Sequence, residues 1–238
     1  MHCMDHHGVY GVIIASVIWF LCSSNGKPSL GATQQERLDT VNRRLEAHYR
    51  ENPVSSRLDT LEMKHIIPAG AGNWAVLSGP KIKAANTRQA VPFLRDLADR
   101  YLTDGENMDH VLIHTLVQHT LEFHRLTNSS GTFFTEADLE AFKTATEGVG
   151  KYMQLLRSRA KEAKQMLWRI VPKTHYMQHF PEEAKLISPK AVQCYIEESF
   201  IGKVAQIWAS SKAGPYQETI QMVSLLKYLV WLCIELDL

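Results

Sequence analysis

At 238 residues the chain can bury a substantial core, as one large domain or two small ones. A hydrophobic share of 45% and a charged share of 21% are ordinary globular composition, and a formal net charge of +1 excludes any global pull toward nucleic acid or membrane, so a basic function must rest on local patches. The four cysteines (Cys3, Cys22, Cys194, Cys233) form no CxxC pair, which argues against a structural zinc site or a dense disulfide framework and fits a reducing compartment.

The first element is the apolar run Gly8 to Cys22, "GVYGVIIASVIWFLC". It is shorter than the roughly 20 residues of a membrane span. The preceding "MHCMDHHG" carries no Lys or Arg and holds an acid at Asp5, the wrong flank for a secretory signal, and the run has no clean small-x-small cleavage site. A buried helix is the expectation, with a membrane anchor over residues 8–22 as the alternative. Residues 1–30 are set apart as this N-terminal helix, and residues 31–238 as a helical domain.

Next, Leu38, Val41, Leu45 and Tyr49 recur at helical spacing and stop at Asn52-Pro53. "SSRLDTLEMKHII" reads as a second, short amphipathic piece, ended by the Gly-rich "PAGAGNWAVLSGP". "KIKAANTRQAVPFLRDLADRYL" resumes a helix that Pro92 kinks or restarts. A long helix over "NMDHVLIHTLVQHTLEFHRL" runs to the turn "TNSSG". Another begins at Thr135, with Asp138 three residues on, and extends toward Ile170 with Gly148 and Gly150 inside it. "PKTHYMQHFPEEA" starts a helix at Pro172 that Pro181 is expected to end. "SPKAVQCYIEESFIGKVAQIWASS" and the apolar helix "YQETIQMVSLLKYLVWLCIEL" follow. "NWAVLSG" and "AVQCYI" are the only strand candidates, so the fold class is mostly α: a multi-helix globular domain with at most a few short strands.

Within the Pro172 helix, His175 and His179 lie four apart and share a face, the spacing by which a helix presents two nitrogens to a metal. A zinc-protease helix needs a glutamate after the first histidine, and Tyr176 stands there instead. Both histidines therefore read as structural, and no metal ligand is assigned. Of His110, His114, His119 and His124, the first two can share a face and the others drift off it, so an amphipathic helix is expected and not a metal site. Basic residues gather at Lys81, Lys83 and Arg88, and again from Lys151 to Lys173, where Arg157, Arg159, Lys161 and Lys164 are accompanied by a single acid, Glu162. Such groups can contact phosphates.

The order of these pieces carries a resemblance. "D-x-H-G-V" from Asp5 precedes an apolar helix, "GPKIKAANTRQAVPFL" follows, and "PKTHYMQHFPEEAKLISPKAVQCYIEESFIGK" comes late in the chain. Together they resemble the C-terminal part of CACTA-type transposase-like mobile-element proteins and their trailing domain of unknown function. In this match Asp5 and His7 fall in the first element, and Lys83, Ala84, Ala85, Arg88 and Pro92 in the second. His175, His179 and Glu183 fall in the third, and Tyr195, Glu198 and Gly202 in the last, where Ile196 and Ser199 depart from the pattern. The resemblance implies that residues 1–30 are the remnant of an RNase-H-like core. Asp5 and Glu198 would be vestiges of a three-carboxylate, two-metal site.

The first acid of that site would lie upstream of Met1, so independent catalysis is not expected. Nor is a cofactor, unless upstream sequence supplies the missing acid and with it a divalent metal. His175, His179 and Tyr195 become supporting residues for the loop that leads to Glu198. The implied function is nucleic-acid contact by Lys81, Lys83, Arg88, Arg157, Arg159, Lys161 and Lys164, in the nucleus or cytoplasm. The alternative is a helical interaction or scaffold protein that binds other helical proteins, either soluble or held to a membrane or in the secretory pathway by residues 8–22.

Overall fold

The computed structural model describes residues 8–23, 28–68, 72, 74–129 and 131–189. Asp5, His7, "AVQCYI", Tyr195, Glu198 and Gly202 lie outside the described residues. Internal contacts divide the chain into Met1–Val192 and Gln193–Leu238, and all described residues belong to the first unit. They are mostly helical, and none of them lies in a strand.

The apolar run forms α1 (Val9–Cys22), and 13 of its 14 residues are buried. Val and Ile supply six of those residues, and β-branched side chains are middling helix formers, so local propensity does not explain this helix. Burial on every side does: a helix apolar all round belongs inside a protein. Four helices pack on α1: α2 (Gln34–Glu51), α3 (Met63–Ile66), α4 (Ala84–Gln89) and α5 (Phe93–Tyr101). A sixth, α6 (Met108–Ser129), reaches it through edge-on ring contacts of Tyr10 with Phe123 and of Phe20 with His110. Residues 8–22 therefore face protein. At about 1.5 Å per residue α1 is also too short to span a bilayer, and no helix among the described residues is long and apolar enough to do so.

Local rules account for α2. Thr33 Oγ1 accepts the Glu36 amide, and the Glu36 carboxylate accepts the amides of Ala32 and Thr33, a closed capping box. Leu38, Val41, Leu45 and Tyr49 are its buried face, as their spacing predicts. The second amphipathic piece is shorter than expected, since only Met63–Ile66 is helical. Side chains of α2 hold the preceding segment extended: Asn42 exchanges two hydrogen bonds with the backbone of Leu61 (both 2.9 Å), and the Tyr49 hydroxyl accepts the Leu58 amide.

"NWAVLSG" is not a strand. Its amides go to separate partners: Ala75 to the Met166 carbonyl, Val76 to Ile66, Leu77 to Gly11 of α1 and Ser78 to His65. Residues 75–77 are thus a buried connection, and the amides from Ala75 to Ser78 are satisfied without a ladder. Pro92 separates α4 from α5, as expected. The helix α6 runs through Thr127 and Asn128 into the predicted turn, and both side chains bond back to carbonyls one turn earlier.

The long helix α7 (Glu136–Glu162) starts as its cap predicts, with Thr135 Oγ1 accepting the Asp138 amide. Gly148 and Gly150 do not break it. A side chain at Gly148 would strike the His119 ring of α6, and one at Gly150 would press on Gln178 of α8 (Pro172–Glu183). Both glycines thus let the neighbouring side chains approach closely.

α7 ends at Glu162, well short of Ile170. The Gln165 amide bonds to the Ala160 carbonyl and the Lys164 amide to Lys161, with Lys164 at φ 54°. This is a Schellman motif with lysine in the left-handed position that glycine usually fills. Finally, α8 continues to Glu183 with Pro181 inside it, so the proline does not end the helix. Its missing amide costs one helical bond, to the carbonyl of Met177, while its ring is buried.

Candidate nucleic-acid interface

Charge pairing sorts the basic residues that the sequence singles out. Arg159 leaves the set, because its guanidinium bonds the Asp109 carboxylate of α6. Lys81 pairs with Asp59 at 3.4 Å. Lys83 is exposed at the start of α4, where its amide bonds the Asn86 side chain. Arg88 is half-buried, and its charge acts on the ring of His124. The upstream group therefore presents no cluster of uncommitted cations.

Three residues remain together. Arg157 and Lys161 lie one turn apart on α7, and Lys164 follows in the cap that ends it. None has a carboxylate partner among the described residues. The Arg157 guanidinium carbon sits 5.0 Å from the ring centroid of Trp74, within cation–π range. A guanidinium held over an aromatic ring can still offer N–H groups to a phosphate.

The four histidines of α6 take four different environments and form no shared site. His110 is buried against Phe20. His114 bonds Asp99 at 3.2 Å. His119 stacks on Tyr152 with centroids 5.4 Å apart. His124 meets Tyr10 edge-on, and burial, aided by the Arg88 charge, pushes its pKa down to about 4. Burial also lowers His48 and His119. A cleft of about 750 Å³ between α2, α5 and α6 has His48 and His124 in its wall, but Arg100–Asp96 and Arg125–Glu122 pairs largely cancel its charge.

His175 and His179 lie exposed on α8 with their Nε2 atoms 3.2 Å apart, and each ring's only hydrogen bond among the described residues is to the other. No group of three or more His, Cys, Asp or Glu side chains suited to a metal occurs among the described residues.

Comparison with known proteins adds no relative. The chain matches no family model, no curated protein and no solved structure. What singles out the end of α7 is therefore its own geometry. Sequence reasoning missed Asp109 and Trp74, the two residues that define that site. Asp109 lies 50 positions before Arg159, and nothing in the spacing of either residue announces its partner.

Proposed function

We propose that this protein contacts nucleic acid through the phosphate backbone, using Arg157, Lys161 and Lys164 at the C-terminal end of α7, without independent catalysis. The mobile-element-like character suggested by the sequence is the biological setting this reading favours. One observation carries it: three cations gather at the C-terminal end of α7 with no carboxylate partner among the described residues, and the last is held in a left-handed conformation that costs a lysine roughly 1 kcal/mol. Backbone strain of this kind collects at functional sites. Phosphate contacts of this type position a duplex but do not read its sequence.

The test is binding of a mixed-sequence duplex to the full chain across a salt series. Three phosphate contacts give a slope of about −3 in log affinity against log salt. Replacing Arg157, Lys161 and Lys164 together with alanine is expected to remove that dependence. Binding that ignores salt, or survives the triple substitution, would overturn the proposal in favour of a helical interaction protein with a solvated basic face.

A further inference from the structure

The histidine pair of α8 has no part in that interface, yet its geometry is specific. His175 and His179 sit one helical turn apart on the solvent side, and the Nε2–Nε2 separation is 3.2 Å. Their rings stand nearly perpendicular, with an interplanar angle of 89° and centroids 4.7 Å apart. For two nitrogens bound to one ion at about 2.0–2.1 Å, that separation corresponds to an N–metal–N angle of about 100°, between octahedral and tetrahedral values. Neither ring makes another hydrogen bond among the described residues, which leaves rotation about the Cβ–Cγ bonds available to turn both Nε2 lone pairs toward one ion.

From this we infer that α8 carries a two-imidazole chelate for a late first-row divalent ion such as Zn²⁺, Ni²⁺ or Cu²⁺. Imidazole suits these ions and not Mg²⁺ or Ca²⁺. No third protein ligand joins the pair among the described residues, so the inferred chelate is confined to these two imidazoles. The continuity of α8 through Pro181 matters here, because a helix ending before that residue would leave His179 in a fraying last turn.

The test is titration of the full chain with Zn²⁺, read from the histidine ring resonances by NMR. His175 and His179 are expected to respond together with one midpoint, while Mg²⁺ moves neither. His179→Ala is expected to weaken the response of His175 about tenfold or more, the loss of one arm of a chelate. His175→Ala is expected to act in the same way on His179. Both substitutions put a strong helix former on an exposed face, so the fold is kept, and the far-ultraviolet spectrum checks that. Independent midpoints, or a His175 response unchanged by His179→Ala, would overturn the inference. So would silence of both rings.

Discussion

Gly148 of α7 lies so close to His119 of α6 that a methyl group on its Cα would fall 2.4 Å from the Cγ and Nδ1 atoms of that ring. The ring cannot simply swing aside, since it is stacked on Tyr152 at an interplanar angle of 20°. Two effects oppose one another at this position. Alanine gains roughly 1 kcal/mol over glycine in a helix interior. Overpacking against a fixed ring costs about 1–3 kcal/mol. Gly148→Ala is therefore expected to lower stability in urea unfolding. Removing the ring reverses the sign, so that in a His119→Ala background the same change stabilises. Equal effects in both backgrounds would show that the close approach is not what requires glycine here.

Ser16 of α1 is buried, and its hydroxyl accepts the amide of Trp168 at 3.1 Å across 152 residues of sequence. That amide belongs to a buried residue in a left-handed conformation (φ 57°) and has no helical partner. Ser16→Ala leaves a buried donor unsatisfied, at a cost of about 1–3 kcal/mol. Ser158→Ala, on the exposed side of α7, is expected to stay within roughly 0.5 kcal/mol. Denaturant midpoints for the two variants make the comparison, and equal losses would mean that the Ser16–Trp168 bond contributes nothing.

The buried ring of His124 gives stability a pH dependence whose sign is fixed. Its folded pKa, about 4, lies below the ordinary 6.5, so between these values the unfolded chain holds a proton that the folded chain does not. This contribution is complete above pH 6.5 and is lost as pH falls toward 4, amounting to at most about 3 kcal/mol. His48 and His119 are shifted in the same direction and add to the slope. His124→Gln is expected to flatten the profile of unfolding free energy across this window. An unaltered slope would place the acid sensitivity elsewhere.

Lys164 links stability to the proposed function. Glycine suits its left-handed position, so Lys164→Gly is expected to stabilise the chain by about 1 kcal/mol while weakening duplex binding. Lys164→Ala weakens binding equally but brings no such gain, because alanine meets the same steric cost. Thermal midpoints and binding at fixed salt separate the two effects. Stabilisation without loss of binding would remove Lys164 from the interface.

Arg159 supplies the opposite control. Its partner Asp109 already neutralises it, so Arg159→Ala is expected to leave the salt slope of duplex binding unchanged. Both members of the pair are substantially exposed, and its loss is expected to cost no more than about 1 kcal/mol of stability. A drop in slope of about one phosphate contact would return Arg159 to the binding face.

Much of the helical framework was legible because its determinants lie within a turn or two of each other. The period of Leu38, Val41, Leu45 and Tyr49 marks the buried side of α2, Thr135 announces the start of α7, and Pro92 separates α4 from α5. Each depends on contacts between residues three or four apart, which the order of residues itself prescribes. The same locality explains the failures. Pro181 was expected to end α8 and does not, and "NWAVLSG" has the residues of a strand but no neighbouring strand to pair with among the described residues.

Tertiary structure alone decided the rest. An apolar run of the length of α1 suits a core helix or an anchor, and only the helices packed on it settle which. Gly148 reads as a weak point in a helix until the ring of His119 is placed against it. Counting cations makes Arg157, Arg159, Lys161 and Lys164 equivalent, whereas a carboxylate 50 residues away quenches one of them and Trp74 orients another. Backbone periodicity is a short-range property, encoded along the chain. Charge neutralisation and close packing depend on distance in space, so they come into existence only when remote segments meet.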